Sequence, residues 1–275
     1  MASEKKTPQI TICIPHWQVR GLMTLCLRSI RKHSQKYNLE IIVVDNGSRD
    51  ASLDYLRSLS WIRLIERPHE SFANWPENVF TAWDHALPLA RGEFFVTMHS
   101  DVLVKRDDWL DPFLREIAAG PLVAGVGGWK LTLESPLYAL QKQVFGTAVA
   151  GIKRLLGRRQ RSSWKTGHYP RDYCALYRRE VLLQYGLSFC PGSESITGGY
   201  PIARRLWTSG FETRVIPTGE IASRLVHIAH GTAALAAEKP LNHKSAQSKV
   251  EQRVARLFAE PWVQQLRDEH ILDAA

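Results

Sequence analysis

Glu40-Ile-Ile-Val-Val-Asp45 constrains this chain more than any other stretch. Four β-branched residues in a row leave no face for water, so the segment reads as a strand covered on both sides. That is the condition of a parallel sheet lying between layers of helix. Its neighbours fit the same scheme. Ile10, Ile12 and Ile14 alternate and stop at Pro15, which predicts a strand over 9–15. Leu22, Leu25, Ser29 and Ile30 recur at helical spacing and predict a helix over 21–37. A second helix is expected over 50–59 with Asp50 as its N-cap, then a strand over 61–66. A helix over 78–90, closed by Arg91-Gly92, leads into a strand over 93–98 that runs into His99-Ser100-Asp101. Strand and helix alternating in this way describe an open, mostly parallel α/β sheet with right-handed crossovers. Ligands of such sheets bind beyond the carboxyl ends of the strands. Three of those ends carry polar residues: His16, Asp45, and His99 with Asp101.

The second half is less regular. Helices are expected over 107–119, 137–156, 179–185, 200–210 and 249–268, and strands over 123–129, 174–177, 212–217 and 221–228. A chain of 275 residues buries roughly three quarters of its unfolded surface, enough for one large α/β domain. We expect a single domain over 1–275, with a first half at about 8–105, a second half at about 106–232 and a helical extension at about 233–275. With 44% hydrophobic and 23% charged residues, wholesale disorder and fibrous structure are excluded. The longest apolar runs are too short to cross a bilayer, and no apolar stretch follows Glu4, Lys5 and Lys6 to make a signal peptide. Cys13, Cys26, Cys174 and Cys190 are scattered without metal or disulfide spacing, which suits a reducing, cytoplasmic setting.

The net charge of +9 is concentrated. Between Lys142 and Glu180, ten lysines and arginines face only Asp172 and Glu180, so the rest of the chain is nearly neutral. An anionic partner is expected to meet that segment. Over 137–156, Leu137, Leu140, Val144, Ala148, Ile152 and Leu155 make an apolar helical stripe that leads into Arg158, Arg159 and Arg161. Two readings stand side by side for 137–165: an interfacial helix on an anionic membrane surface, or a stripe packed on the domain with its arginines solvated.

Several stretches together resemble the family 2 glycosyltransferases with the GT-A fold. They are Ile10-Thr-Ile-Cys-Ile-Pro15, Glu40-Ile-Ile-Val-Val-Asp45-Asn-Gly-Ser48, Ala90-Arg-Gly-Glu-Phe-Phe and Ser100-Asp101-Val102. Cys174-Ala-Leu-Tyr-Arg-Arg-Glu-Val-Leu and Ala203-Arg-Arg-Leu-Trp-Thr-Ser-Gly210-Phe extend the resemblance, which covers about residues 8–232. It implies a GT-A-like sheet with a Rossmann-like nucleotide-binding half and an acceptor-side half. It also implies transfer of a sugar from a nucleotide diphosphate sugar to an acceptor hydroxyl, with inversion, in cell-surface polysaccharide or glycolipid assembly. The acceptor would be a saccharide or a lipid-linked molecule.

The resemblance also assigns residues. A departing diphosphate gathers negative charge, which a divalent cation such as Mn2+ or Mg2+ stabilises through oxygen ligands. The family usually places two aspartates one residue apart at this point; the matching positions are His99 and Asp101, so Asp101 keeps the ligand role and His99 departs from the pattern. Asp45 matches the aspartate that accepts a hydrogen bond from the nucleotide base, and Pro15 and His16 match the strand exit beside it. Asp84 and Ser100 match nucleotide-side positions. His227 or His230, in Val226-His-Ile-Ala-His-Gly231, matches a histidine that completes cation or diphosphate binding. The carboxylate that serves the family as catalytic base is missing from Ile196-Thr-Gly-Gly-Tyr-Pro201, which leaves Glu194 as the nearest candidate base. That gap keeps a nucleotide-binding protein without turnover as an alternative. A basic nucleic-acid binder is disfavoured, since the charge sits in one segment and no nucleic-acid module is present.

Overall fold

The structure, a computed structural model, describes residues 9–70, 77–129, 131, 169–190, 199–236 and 244–274. In chain order these form β1 (Ile10–His16), α1 (Arg20–His33), β2 (Leu39–Asp45), α2 (Ser52–Ser58), β3 (Arg63–Glu66), α3 (Glu77–Ala86), a 3-10 turn (Leu87–Leu89), β4 (Phe94–Met98) and β5 (Val102–Val104). Next come α4 (Asp111–Ile117), β6 (Val123–Gly128), β7 (Cys174–Arg178), α5 (Arg179–Gln184), α6 (Tyr200–Thr208) and β8 (Glu212–Ile216). The chain continues through α7 (Thr218–Ala222), β9 (Leu225–His227), α8 (Gly231–Leu235), α9 (Lys244–Ala259), α10 (Pro261–Asp268) and a last 3-10 turn (His270–Asp273).

Seven strands form one sheet in the order β3-β2-β1-β4-β7-β6-β8, and β5 and β9 form a separate antiparallel pair. The β-branched strands β1 and β2 are central and buried on both faces. Their alternate residues enter different apolar clusters. Ile10, Ile12, Ile14, Ile41 and Val43 pack with Leu22, Met23 and Ile30 of α1. Cys13, Ile42, Val44 and Phe95 pack with Phe80 and Trp83 of α3. This is the two-sided cover that the run at 40–45 requires.

The sheet departs from a wholly parallel one at β7, which runs antiparallel to both β4 and β6. Because Met98 pairs with Cys174, the start of β7 lies against the carboxyl end of β4. At the opposite end of the sheet, the Glu40 carboxylate ties three strands together. It accepts from the Thr11 hydroxyl at 2.7 Å, from the Arg91 N–H at 2.8 Å and from Arg91 Nε at 2.7 Å. Gly92 is needed there for proximity rather than as a left-handed helix cap: a Cβ would lie 2.5 Å from the Thr11 nitrogen.

Other expectations are corrected by local chemistry. Helix α2 starts at Ser52 with Ala51 as N-cap; Asp50 instead accepts from the Ser52 N–H at 3.2 Å, forming a turn ahead of the helix. Helix α3 ends at Ala86, because Pro88 cannot continue it and a 3-10 turn follows. The strand expected over 221–228 is the end of α7 followed by the three-residue β9. The last helix is two helices, broken where Pro261 lacks the N–H and starts α10. The stripe at 137–156 and the basic run behind it lie outside the described residues. Among those described, no helix is long and apolar enough to cross a membrane. All four cysteines are free, and only Cys190 is not fully buried.

The C-terminal helices are fastened to α1 by Arg28, whose side chain is 3% exposed. Its guanidinium donates to Asp273 Oδ1 at 2.9 Å and to Asp273 Oδ2 at 2.5 Å, and its Nη1 to the carbonyls of Leu266 (3.3 Å) and Arg267. Those carbonyls end α10 and have no partner within the helix, so Arg28 caps it from outside. Helix α1 in turn holds β5, where the Ser29 hydroxyl accepts from the Val104 N–H at 2.9 Å.

Candidate functional site

Three strand ends meet beyond β4. The β4 strand delivers His99, Ser100 and Asp101. Pairing of Val102 with His227 brings the end of β9 beside Asp101. The reversed β7 brings Asp172 and Tyr173, and the His99 N–H donates to the Tyr173 carbonyl at 3.0 Å. Ligand atoms of His99, Asp101 and His227 lie within 4.8 Å of one another. His227 Nε2 is 3.4 Å and His99 Nδ1 3.9 Å from Asp101 Oδ1.

Aromatic faces hold both imidazoles. His227 stacks on Tyr173 with ring centroids 4.6 Å apart and a 14° interplanar angle. His99 stacks on the buried Trp83 at 5.7 Å and 16°. Trp83 is itself fixed by donation from Nε1 to the Cys13 carbonyl at 3.2 Å. His227 Nδ1 lies 3.2 Å from the Leu131 carbonyl, which can only accept, so Nδ1 is protonated there and Nε2 is the nitrogen that faces Asp101. Asp101 Oδ2 accepts from the Gly231 N–H at 3.0 Å, which fixes the carboxylate plane. Asp101 Oδ1 and His99 Nε2 are shielded from solvent and have no hydrogen-bond partner.

Burial works to raise the Asp101 carboxyl, but the imidazoles of His227 and His99 and the Gly231 N–H outweigh it and hold it well below the usual range. Burial pushes His99 down, against the opposing pull of Asp172 and Asp101. A buried carboxylate with an orphaned oxygen between two imidazoles forms a donor set that fits a divalent cation, Mn2+ better than Mg2+. Of the two histidines left open by the sequence, His227 joins this cluster. His230 is exposed, has φ +67° and caps α8, so it is not on the strand at all.

Asp45 lies two strands away from β4 along the same edge, roughly 10 Å at ordinary strand spacing. Its Oδ2 accepts from the Ser48 N–H at 3.0 Å, while Oδ1 is buried and without a partner. Burial raises its carboxyl above the usual value. Between them, His16 follows Pro15 at the end of β1, 1% exposed, with neither ring nitrogen hydrogen-bonded. Burial lowers its pKa to about 4 against the pull of Asp50, so it is neutral near pH 7. The Ser100 hydroxyl lies 3.3 Å from that of Thr232. Gln18 and Val19 after β1, and Ala229 and His230 after β9, take left-handed backbone conformations. Such strain in non-glycine residues gathers at functional edges.

Asp84 is placed differently from the expectation. Both its oxygens are engaged, by the Ser188 hydroxyl at 2.5 Å and the Phe189 N–H at 2.7 Å. It holds the segment after α5 against α3 rather than facing a ligand. Glu194 lies outside the described residues. Asp172 and Tyr173 are the residues that sequence reasoning missed. Their only signal is position, immediately before the strand at 174, and it becomes informative once that strand is known to be reversed.

Known proteins share this fold. The chain is 26% identical over 111 residues to "Putative glycosyltransferase EpsH" of Bacillus subtilis (strain 168). That match takes in 39% of this chain and only 28% of the relative's length. Among solved structures, the mannosyltransferase PcManGT from Pyrobaculum calidifontis, in complex with GDP-Man and Mn2+, superposes with a TM-score of 0.54 at 18% identity. The superposition covers 97% of this chain and 75% of that one. GalNAc-T7 with UDP, GalNAc and Mn2+ gives 0.53 at 14% identity, covering 82% and 44%. At these identities the likeness is one of fold. The family model described as "Glycosyl transferase family 2" matches residues 11–186, well over half of the chain and the whole run from β1 through the reversed β7, so this chain belongs to glycosyl transferase family 2.

Proposed function

We propose that the protein transfers a sugar from a nucleoside diphosphate sugar to an acceptor hydroxyl, with a divalent cation held by Asp101, His99 and His227. The observation that carries this reading is the buried, orphaned Asp101 Oδ1 with His227 Nε2 3.4 Å and His99 Nδ1 3.9 Å away, at the carboxyl end of a central strand. When bound, the cation would offset the negative charge that gathers on the departing diphosphate. The chain's own residues supply the rest. Asp45 accepts a hydrogen bond from the base through its free Oδ1. The Gly231 N–H and the Leu131 carbonyl orient Asp101 and His227 before any ligand arrives, so that preorganised groups meet the developing charge. Similar folds bound to GDP-Man with Mn2+ and to UDP with Mn2+ support a donor of this class and favour Mn2+.

The acceptor is a saccharide or a lipid-linked molecule on the α6 side of the site, and transfer inverts the anomeric carbon, with Glu194 as the candidate base. The basic segment 142–180 supports an anionic carrier or membrane surface at the inner face of the cell membrane. The test is a panel of UDP-, GDP- and dTDP-sugars with Mn2+, measuring nucleoside diphosphate release and the anomeric coupling of the product by proton NMR. Release that needs Mn2+ and is lost on chelation supports the reading; no release from any donor opposes it. A second reading, nucleotide binding without turnover, is favoured by Gly199 at the start of α6. There a Cβ would lie 2.2 Å from the Pro170 carbonyl, so no acidic side chain fits at 199. Binding without release in the same panel selects it.

A further inference from the structure

We infer that Asp172 is a positioning residue for the cation site: it takes the Nε2–H of His99 and thereby turns the Nδ1 lone pair toward Asp101. The inference rests on the cation site proposed above and explains how a histidine serves where a carboxylate is usual.

His99 lies between two carboxylates. Its Nδ1 is 3.9 Å from Asp101 Oδ1 and its Nε2 is 4.0 Å from Asp172 Oδ2. The nearest contact of each carboxylate is thus with a different nitrogen of the imidazole. The ring is held in its plane by Trp83 at 5.7 Å and, edge on, by His227 at 5.7 Å. A ring so held points one nitrogen at each carboxylate. Nε2 is shut off from solvent and has no hydrogen-bond partner. A neutral imidazole carries one proton, and the nitrogen that faces the cation must be bare. The proton therefore belongs on Nε2, and a carboxylate there fixes that tautomer and makes Nδ1 more basic. At 4.0 Å the pair is beyond a direct hydrogen bond, and a small side-chain rotation would bring it into range.

His227 has the same two-sided arrangement. Its Nδ1 meets the Leu131 carbonyl at 3.2 Å and its Nε2 faces Asp101. Each imidazole thus has one side toward Asp101 and an oxygen acceptor behind it, a carbonyl in one case and Asp172 in the other. The backbone holds Asp172 in place. The His99 N–H donates to the Tyr173 carbonyl at 3.0 Å, and Gly199 packs so closely that a Cβ there would lie 3.3 Å from the Asp172 nitrogen.

The experiment is a Mn2+ titration followed by the electron paramagnetic resonance of free Mn2+, with and without UDP or GDP. It compares wild type, Asp172→Asn, Asp172→Ser, His99→Asp and the double variant His99→Asp/Asp172→Asn, each checked for an intact melting transition. Loss of an outer partner typically weakens a metal about 10–100-fold, and both single Asp172 variants should fall in that range. In the His99→Asp background no imidazole needs orienting at this position, so Asp172→Asn should change Mn2+ affinity by less than about threefold. Unchanged affinity in Asp172→Asn and Asp172→Ser overturns the inference. So does an equal loss in both backgrounds, which would make Asp172 a direct ligand or a general structural support. If wild type binds no Mn2+ in any condition, the cation reading itself falls and this inference with it.

Discussion

Arg28→Met removes a buried guanidinium while keeping most of the apolar stem, and its cost can be worked from the contacts. The variant loses both bonds to Asp273, the caps on the Leu266 and Arg267 carbonyls and the contact of Nη2 with His270 Nδ1 at 2.8 Å. Removing one partner of a buried ion pair costs about 3–5 kcal/mol. Asp273 is 24% exposed and keeps the Tyr55 hydroxyl at 2.9 Å, so water and tyrosine recover part of that and the lower end applies, about 3 kcal/mol. At about 2–4 °C per kcal/mol for a chain of this size, the melting temperature should drop by roughly 6–12 °C. The difference should depend on pH. Burial works to raise the Asp273 carboxyl, but the hydrogen bonds from Arg28 and Tyr55 outweigh it and hold it below the usual range. Its contribution is therefore complete above the unfolded carboxylate pKa, near about 4, and is lost as pH falls through the lower folded value. Calorimetry at pH 7 and at pH 3 reads both effects. A melting temperature within 1 °C of wild type at pH 7 would refute the idea that this clamp secures the C-terminal helices.

Asp45→Ala should weaken nucleoside diphosphate binding about ten- to a hundredfold, the loss of a bond to a charged group, with a smaller effect on melting of the free protein. Isothermal titration against a melting curve separates the two, and unchanged affinity would leave Asp45 as a turn residue only. Asp84→Ala should behave oppositely, destabilising by about 1.5–3 kcal/mol through Ser188 and Phe189 while affecting nucleotide affinity less than Asp45→Ala does. Gly199→Ala should destabilise by more than the roughly 1–2 kcal/mol cost of its left-handed conformation, because the added carbon also meets the Pro170 carbonyl. Wild-type melting in that variant would show that the α6 start shifts freely.

Much of the first half was legible because its signals are local. Alternation at 10–14 and the apolar run at 40–45 depend only on which faces are buried, and β1, β2 and β4 fall within a residue of the expected bounds. The cation cluster was legible in part. Asp101 and His99 stand at a strand end and match the family's cation positions, but the choice of His227 over His230 depends on a short pairing of β9 with β5, 121 residues and more apart in sequence. The expected strand at 221–228 blurred it, since short apolar runs do not distinguish a strand from a single helical turn. Asp172 could not be read at all. Its place at the site follows from the antiparallel direction of β7, and strand direction leaves no mark on hydrophobic period. Asp84 was misplaced for a related reason: its partners at 188–189 are fixed by tertiary packing of the segment after α5.

The central claim is that Asp101 and its two histidines hold a divalent cation for a nucleoside diphosphate. Thermal shift of wild type and Asp101→Asn with UDP, GDP and dTDP, each with and without Mn2+, tests it most directly. A ligand bound only by the folded state adds about 2.7 kcal/mol at a hundredfold excess over its dissociation constant, which is easily seen as a rise in melting temperature. At least one diphosphate should raise the wild-type transition, Mn2+ should enlarge the rise, and Asp101→Asn should lose the enlargement. No rise with any diphosphate, or a Mn2+-dependent rise that persists in Asp101→Asn, would contradict the claim.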